Sequence, residues 1–342
     1  MKAAILEGFG KPVEVKDTPR PEAGPGEVVI QVKACGVCHS DLHLAEGDWD
    51  ALKRITKLPL VLGHEIAGVV VETGPGVTTF QPGDRAGVPW LHWTCGECEY
   101  CTSGRETLCG KQSITGVTVN GGYAEFVKAK ASHVARIPDA VSFEQAAPLM
   151  CAGLTVYKAI KSSGVRAGEV LAVFGVGGLG HLAIQIAKAR GVKVAAVDIT
   201  ESKLELARRC GADWTVNSGL EQPRKALRAA GGGPHVALVC SAAKAAYEAA
   251  LSSLRKGGTM VVVGMPAEPI PVSAVALVAG ELRIIASAVG TREDLRELLE
   301  LAAAGGIHCE TRLEPLANAG GALERMKRGD ITGRVVLTPD AG

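Results

Sequence analysis

The spacing of apolar positions changes character near residue 150. Up to that point, short segments rich in β-branched residues recur at 28–32, 66–72 and 123–128, and clusters of Gly and Pro separate them. Short apolar segments bounded by such turns are typical of β-strands. The first part of the chain therefore predicts a β-rich, antiparallel domain.

Beyond residue 150, strand-like and helix-like patterns alternate. Apolar residues follow helical spacing from Leu179 to Ala187, and a second helix is predicted over 201–210. Strands that alternate with helices indicate a parallel, doubly wound sheet. From about residue 291 the pattern predicts one more helix, over 293–304. The predicted strands of this half cover 170–174, 192–197, 235–239, 259–263, 283–288 and 334–338.

The predicted fold class is therefore α/β, with a β-rich domain and a doubly wound parallel-sheet domain. The length of 342 residues agrees with two domains, since typical domains hold about 100–200 residues. A candidate linker lies at 148–153. Lys and Arg number 37 and Asp and Glu number 36, so the net charge of +1 gives no electrostatic footprint for nucleic acid or an anionic membrane. No uninterrupted apolar run reaches the length of a transmembrane helix.

Ten cysteines bear on both the compartment and the chemistry. Disulfide scaffolds are short and secreted, whereas this chain is long and shows no secretory pattern after Met1. We therefore expect reduced thiols and a cytoplasmic protein.

Four of these cysteines form a compact motif. Cys95, Cys98, Cys101 and Cys109 lie within 15 residues, a density that favours metal ligation over four unrelated buried cysteines. Four thiolates complete a tetrahedral zinc site with no open position, and such a site is structural. Gly96, Gly104 and Gly110 supply tight turns around it.

A second group of candidate ligands is scattered along the chain. It comprises Cys38, His64 and Cys151, and taken singly each is more often a packed residue than a ligand. Asp41 and Glu65 stand close in sequence to two of them, and nearby carboxylates orient ligating imidazoles. Two cysteines and one histidine would leave a fourth position for water or substrate.

A glycine motif follows the first strand of the predicted parallel sheet. In Gly175-Val-Gly177-Gly178-Leu179-Gly180 the glycines let the backbone approach a pyrophosphate at a helix N-terminus. Asp198 ends the next strand and would bind the adenosine ribose while repelling a 2′-phosphate, which favours NAD over NADP. The alternative is a sheet of the same type that binds another ligand.

Together these motifs resemble the zinc-dependent medium-chain alcohol dehydrogenases, in particular the ethanol-active branch of yeast and bacteria. The resemblance spans essentially the whole chain. It is carried by Gly36-Val-Cys-His-Ser-Asp-Leu-His43, Glu46-Gly-Asp-Trp49, Leu62-Gly-His-Glu65, the four-cysteine motif, Cys151-Ala-Gly-Leu-Thr-Val-Tyr157, the glycine motif and Val263-Gly-Met-Pro266.

The resemblance implies a domain organisation. Residues 1–152 would form a GroES-like catalytic domain that carries the zinc lobe at about 90–112. Residues 153–290 would form a Rossmann domain that binds NAD, and residues 291–342 would return to the catalytic domain.

It also implies the roles of individual residues. Two zinc ions would be bound per chain, the catalytic one by Cys38, His64 and Cys151, with Glu65 as a possible exchange ligand and Asp41 as the partner of His64. Ser40 and His43 match a proton relay that runs from the alcohol through the nicotinamide ribose to solvent. Trp49 and Trp90 match residues that narrow the substrate pocket, although the segment 50–57 is longer than in the family pattern. The residues that match cofactor contacts are His39, Thr155, Gly175, Gly177, Gly178, Leu179, Gly180, Asp198, Lys203, Val263, Val289 and Arg334.

The implied activity is NAD-dependent interconversion of small primary alcohols and aldehydes by a homotetramer. Two alternatives are a relative that acts on polyols, aromatic alcohols or formaldehyde adducts, and a non-enzymatic zinc-lobe protein. Cys151 stands where polyol enzymes usually carry Glu, and Asp198 stands where NADP-using cinnamyl-type relatives lack an acid. The net charge and the complete Ser40–His43 pair argue against the non-enzyme.

Overall fold

A computed structural model of the chain describes residues 1–266 and 268–339 and divides it into two units. The first unit comprises Met1–Cys151, Gly290–Ala304 and the residues from 309 onward, and the second comprises Ala152–Val289 and Gly305–His308. Residue 267 and residues 340–342, which fall in the predicted Rossmann and return segments, lie outside the described residues. Among the helices described, none is long and apolar enough to cross a membrane.

The strands and the helices are numbered separately, each in chain order. The strands are β1 (Lys2–Leu6), β2 (Val13–Asp17), β3 (Glu27–Gly36), β4 (Leu60–Val61), β5 (Ile66–Thr73), β6 (Arg85–Val88), β7 (Leu91–Trp93), β8 (Ser113–Ile114), β9 (Phe126–Lys130), β10 (Ala135–Arg136), β11 (Val170–Phe174), β12 (Lys193–Asp198), β13 (Trp214–Asn217), β14 (Val236–Val239), β15 (Thr259–Val262), β16 (Arg283–Ala286), β17 (Thr311–Pro315) and β18 (Arg334–Thr338). The helices are α1 (His39–Glu46), α2 (Asp50–Ile55), α3 (Glu99–Thr102), α4 (Phe143–Pro148), α5 (Leu154–Ser163), α6 (Gly180–Ala189), α7 (Glu201–Arg209), α8 (Pro223–Ala229), α9 (Lys244–Ser253), α10 (Ala274–Gly280), α11 (Arg292–Ala303) and α12 (Ala319–Arg328).

The first unit is built around the long strand β3. In its sheet the order is β10-β6-β5-β3-β18-β17, and β9 also pairs with β3. Strands pair with β3 along its edges, and its alternate residues Val28, Ile30 and Val32 are fully buried in one apolar core. Apart from the parallel pair β17–β18, the strands of this sheet pair antiparallel, as the sequence pattern predicts.

The second unit contains a six-stranded sheet of parallel strands in the order β13-β12-β11-β14-β15-β16. The chain starts at the centre with β11, runs to one edge and then resumes at β14, so the strand order reverses between β11 and β14. In sheets of this kind, ligands bind beyond the carboxyl ends of the strands at that reversal. The glycine motif lies directly after β11, at the carboxyl end of that strand.

The end of the chain is richer in structure than the sequence pattern predicts. Besides α11 and β18, it contains β17 and α12, neither of which we expected. Three of the five residues of β17 are exposed, so the strand lacks the alternation of apolar and polar residues that marks a half-buried strand. The first turn of α12 contains Gly320 and Gly321, which weaken the helical signal, although Ala322, Leu323 and Met326 are buried in the core of the first unit.

Candidate metal centres and cofactor site

The four-cysteine lobe brings its thiols together, as its spacing predicts. The Sγ atoms of Cys95, Cys98, Cys101 and Cys109 all lie within 4.8 Å of one another, and Cys98 is 3.6 Å from Cys101. Gly96 and Gly104 have φ of 73° and 71°, a left-handed conformation that lets the chain fold tightly around the thiols. This lobe can hold one tetrahedral zinc ion without any other ligand.

One thiol of the lobe, that of Cys95, is prepared for metal binding by the backbone around it, whereas burial raises the pKa of Cys101 to about 11. Backbone N–H groups of residues 97 and 98 lower the pKa of Cys95 to about 6. A thiolate is the form that binds zinc, so these N–H groups favour the liganding state.

An ion pair between the buried Glu106 and the exposed Arg292 ties the lobe to the last part of the first unit. The Glu106 carboxylate accepts hydrogen bonds from the backbone N–H of Arg292, at 2.8 Å, and from its guanidinium, at 2.7 Å. Burial alone would raise the pKa of Glu106, but these bonds from Arg292 outweigh it and lower the pKa. Because Arg292 is the first residue of α11, the carboxylate also lies where the helix dipole favours negative charge.

The scattered candidate ligands also converge, in the interior of the first unit. Cys38, His64, Glu65 and Cys151 each offer a ligand atom within 4.8 Å of the others, and all four residues are buried. Cys38 is the N-cap residue of α1, while His64 and Glu65 directly precede β5. Cys151 lies in a single π-helical turn, Leu149–Gly153, a distortion that is frequent at functional sites.

Asp41 organises this cluster. One of its carboxylate oxygens accepts a hydrogen bond from His64 Nδ1 at 3.0 Å and one from the backbone N–H of Gly63. The other accepts bonds from the backbone N–H of Cys38 at 3.0 Å and from the Tyr123 hydroxyl at 2.8 Å. The carboxylate thus holds the two elements that carry Cys38 and His64, and its contact with His64 is the one that the resemblance implies.

The donor set fits a zinc ion. Because Asp41 accepts the hydrogen on His64 Nδ1, the lone pair of a neutral imidazole is on Nε2. That Nε2 is buried and has no hydrogen-bond partner in the described part of the chain, which is costly unless a ligand completes it. A hydrogen bond from the Cys151 thiol holds the pKa of Cys38 well below its usual range and raises that of Cys151. An imidazole nitrogen and two cysteine sulfurs are ligands that zinc prefers.

Glu65 is held by an arginine from the far end of the chain. Arg334 Nη2 lies 2.5 Å from each carboxylate oxygen of Glu65, and both residues are buried. Burial raises the pKa of Glu65 to about 7, although Arg334 acts in the opposite direction. The predicted contact of Arg334 with a pyrophosphate stays a prediction, and the contact of this arginine with Glu65 was not foreseen.

Tyr123 is a site residue that sequence reasoning missed. Its side chain is fully buried, and its hydroxyl supports Asp41. A signal was present in the glycines near it: a Cβ on Gly63 would lie 2.4 Å from the Tyr123 ring, and a Cβ on Gly122 would lie 2.3 Å from Ile66. The first of these close approaches shows that the backbone at Gly63 is packed against the buried Tyr123 ring.

The predicted relay and pocket residues lie on α1 and near the cluster. His39, Ser40 and His43 all belong to α1, with His39 exposed and the other two partly exposed. The Trp90 ring meets the His64 ring edge-on, with 4.8 Å between centroids, and the Trp49 ring lies 4.8 Å from that of His43. The longer segment after Trp49 forms the short helix α2.

The glycine motif of the second unit has the shape that a dinucleotide requires. Gly175 has φ of 93°, and a Cβ on Gly180 would lie 2.0 Å from the carbonyl oxygen of Gly175, so neither position accepts a side chain. A Cβ on Gly177 would meet nothing within 4 Å, which leaves space beside the backbone. Gly178 and Leu179 complete the turn into α6. A pyrophosphate at this helix N-terminus fits the loop.

Asp198 ends β12, as predicted, and supports the same loop. Its carboxylate accepts hydrogen bonds from three backbone N–H groups, those of Val176 at 2.8 Å, Ile199 at 2.8 Å and Thr200 at 3.1 Å. The residue is therefore structural as well as a candidate for ribose binding. Of the remaining cofactor candidates, Thr155 lies on α5, Lys203 on α7, Val263 after β15, and Val289 has an unusual φ of 42°.

Comparison with known proteins identifies the family. The family described as "Alcohol dehydrogenase GroES-like domain" matches residues 24–139, and the one described as "Zinc-binding dehydrogenase" matches residues 178–304. An alcohol dehydrogenase of Geobacillus stearothermophilus is 49% identical over 340 residues, covering 99% of this chain and 100% of that protein. The chain belongs to the zinc-dependent medium-chain alcohol dehydrogenases. This result confirms the family and the fold class predicted from the sequence.

Solved structures agree with this assignment. The alcohol dehydrogenase of the archaeon Aeropyrum pernix superposes with a TM-score of 0.91 at 33% identity, covering 99% of this chain and 100% of that one. An acetophenone reductase from Geotrichum candidum, solved in complex with NAD, gives a TM-score of 0.87 at 31% identity, with 98% and 96% covered. The match to the zinc-binding dehydrogenase family and the NAD complex of this relative support zinc and a nicotinamide nucleotide as cofactors.

Proposed function

We propose that this protein is an NAD-dependent alcohol dehydrogenase that binds two zinc ions per chain and interconverts small primary alcohols and aldehydes. Hydride would pass between the carbinol carbon of the alcohol and C4 of the nicotinamide. The observation that carries the proposal is the buried cluster of Cys38, His64 and Cys151, in which His64 Nε2 has no protein partner in the described chain.

Each zinc ion has its own ligand set in this proposal. Cys38, His64 and Cys151 hold the catalytic ion, and the four cysteines of the lobe hold the structural one. At the first site, zinc supplies a Lewis acid that lowers the pKa of an alcohol. Asp41 keeps the His64 ring in its liganding orientation, and Arg334 holds Glu65 beside the ligands as a possible exchange ligand.

Protons leave through α1. Ser40 lies two residues after Cys38 and would accept the alcohol proton, and His43 would release that proton to solvent after it has passed the nicotinamide ribose. The partial exposure of His43 supports this role, since a terminal shuttle must reach both the site and water. His39, at the exposed start of the same helix, would contact the pyrophosphate.

The second unit binds NAD in this proposal. Gly175, Gly177, Gly178, Leu179 and Gly180 hold the pyrophosphate, while Asp198 and Lys203 bind the adenosine ribose. The Asp198 carboxylate would repel the 2′-phosphate of NADP, which favours NAD over NADP. Thr155, Val263 and Val289 pack the nicotinamide half, and Arg334 adds a contact to the pyrophosphate.

Two tryptophans restrict the substrate. The Trp90 ring packs edge-on against the His64 ring, and the Trp49 ring packs against the His43 ring. Bulky side chains therefore surround the position where an alcohol would react. Short primary alcohols should therefore be accepted more readily than branched secondary alcohols.

Assembly into a homotetramer is part of the proposal. β16 is an edge strand of the parallel sheet, and its Ile284 is partly exposed. In the same unit, Val275 and Val278 of α10 are almost entirely exposed. An apolar edge of this kind is suited to pairing with a second copy of the chain. Size-exclusion chromatography with light scattering measures the number of chains in the assembly.

An absorbance assay for NADH tests the activity. We expect turnover with ethanol and NAD⁺, and much lower kcat/KM with isopropanol, sorbitol, cinnamyl alcohol and NADP⁺. A preference for sorbitol or cinnamyl alcohol would favour the alternative reaction classes. Absence of turnover with every alcohol, in protein that holds its zinc, would refute the proposal.

The choice of cofactor can be tested at Asp198. We expect Asp198→Gly with Ile199→Arg to shift preference toward NADP by about 1–3 kcal/mol, the range for hydrogen bonds to charged groups. The variant should also unfold at a lower temperature, because three backbone N–H groups lose their acceptor. Equal efficiency of NAD and NADP in the unmodified protein would contradict the role of Asp198.

A further inference from the structure

The end of α1 holds His43 in a way that the proposed relay does not explain. His43 Nδ1 lies 2.7 Å from a carboxylate oxygen of Asp48, a residue that the sequence analysis did not single out. The indole of Trp49 packs on the same imidazole, with 4.8 Å between ring centroids and an angle of 33° between the planes. Two consecutive residues therefore hold one ring.

The helix terminus itself brings these residues back to His43. Gly47 has φ of 77°, the left-handed conformation that reverses the chain at a helix end. Its N–H bonds to the Leu44 carbonyl at 3.1 Å, and the N–H of Asp48 bonds to the His43 carbonyl at 2.9 Å. This paired pattern places the backbone of Asp48 beside that of His43, five residues earlier, so a short carboxylate side chain reaches the ring.

The chemistry of the contact defines the state of the imidazole. A carboxylate only accepts hydrogen bonds, so the hydrogen of a neutral His43 is on Nδ1 and the lone pair is on Nε2. Nε2 is then the atom that can receive a proton. The cluster in the interior of the same unit uses the same arrangement, because Asp41 holds His64 at Nδ1 and leaves Nε2 for the metal.

We propose that Asp48 is a positioning residue of the proton relay: it fixes the tautomer and the orientation of His43 so that Nε2 receives the proton from the site. This inference rests on the proposed function, since it assigns a third member to the relay of Ser40 and His43. Asp48 does not touch the substrate, and its effect passes through His43.

Other charged groups near this corner do not replace Asp48. His39 is on the same helix, and its ring is 6.4 Å from that of His43. From α12, Lys327 pairs with Glu46 at 2.8 Å and is also attracted by Asp48. Lys53 of α2 stacks on Phe9. Asp48 is thus the carboxylate that faces His43 in the described structure.

The test compares Asp48→Asn with the control Asp17→Asn. Asp17 is also an exposed carboxylate, but its partner is Lys2 and not a histidine. We expect Asp48→Asn to lower kcat about fivefold, less than the roughly tenfold loss expected for His43→Gln, because solvent can partly replace a terminal base whose full contribution is about 10²–10⁴-fold. Zinc content, NADH affinity and KM should stay near those of the unmodified protein, Asp48→Glu should recover part of the rate, and Asp17→Asn should change nothing.

A double-mutant cycle separates positioning from a general loosening of the helix end. If Asp48 acts through His43, then Asp48→Asn has little further effect in a His43→Gln background. The same fivefold loss in both backgrounds, or an unchanged kcat in Asp48→Asn, would overturn the inference.

A spectroscopic readout keeps the inference separate from the proposed function. In ¹⁵N-histidine-labelled protein, NMR should show His43 with its hydrogen on Nδ1, and Asp48→Asn should reduce that population. This measurement needs no substrate, so it tests Asp48 even if the unmodified protein fails to oxidise any alcohol. An Nε2-protonated His43 in the unmodified protein would contradict the inference.

Discussion

The two candidate metal centres of the first unit differ in how the sequence builds them. The lobe takes four ligands from 15 consecutive residues, and three of these cysteines are partly exposed. The other centre gathers Cys38, His64 and Cys151 from distant parts of the chain, and its residues are buried. Local turns are enough for the lobe, whereas the buried centre exists only once β3, β5 and α4 have packed together.

The ligand sets explain why the two centres should have different tasks. Four thiolates complete the coordination of zinc, so the lobe can stabilise the fold but has no position for a substrate. The buried centre supplies three strong ligands and a carboxylate, Glu65, that is drawn toward Arg334. Its other polar contacts, through Asp41 and Tyr123, orient the ligands. Of the two candidate centres, this one would therefore leave a position for an alcohol in the proposed function.

The largest effect should come from the buried centre. We expect His64→Ala to lower kcat/KM by about 10³-fold or more, because a Lewis acid contributes several kcal/mol to the reaction. The thermal unfolding midpoint should change much less than the activity. His308→Ala, at an exposed histidine of the second unit, is the control and should leave the rate unchanged. An active His64→Ala enzyme would exclude this cluster as the catalytic centre.

A smaller effect, of a different kind, should come from the lobe. We expect Cys109→Ser to lower the thermal unfolding midpoint by on the order of 10 °C, because loss of a structural zinc removes free energy of folding. The protein that remains folded should keep much of its kcat per catalytic zinc. Cys210→Ser provides the matched control, since Cys210 lies on neither ligand set. If Cys109→Ser left the midpoint unchanged and abolished catalysis, the two centres would have the opposite roles.

The smallest effect should come from the hydroxyl that supports Asp41. We expect Tyr123→Phe to weaken zinc binding at the buried centre about tenfold, the lower end of what loss of an outer hydrogen bond costs. At saturating zinc its kcat should be close to normal, and the lobe should keep its metal. Competition with a chelator measures this affinity. Tyr247→Phe, which removes another buried hydroxyl far from these ligands in sequence, should have no effect on zinc.

The contrast between the centres also explains what could be predicted from the sequence. Cys95 to Cys109 were assigned from spacing alone, because their contacts are local. Cys38, His64 and Cys151 gave only weak evidence singly and needed the resemblance to the family, since tertiary packing brings them together. Five of the six strands of the parallel sheet were predicted closely, because buried strands are short apolar runs, whereas the edge strand β13, which is only partly buried, was missed.

The contacts that sequence reasoning missed are those that only the folded chain creates. Arg334 reaches Glu65 from the last strand, and Tyr123 reaches Asp41 across the core. Asp48 is close to His43 in sequence, yet its role depends on the left-handed turn at Gly47. Likewise, α12 was missed because its stability comes from the burial of Leu323 and Met326 and not from its glycine-rich start.

The most direct test of two unlike centres is the zinc content per chain. Atomic spectroscopy on protein purified without added chelator should find two zinc ions in the unmodified protein, one in His64→Ala and one in Cys109→Ser. The ion left in Cys109→Ser should be the one that supports turnover with ethanol and NAD⁺. A fully active unmodified protein with a single zinc ion would contradict the assignment of two centres with separate roles.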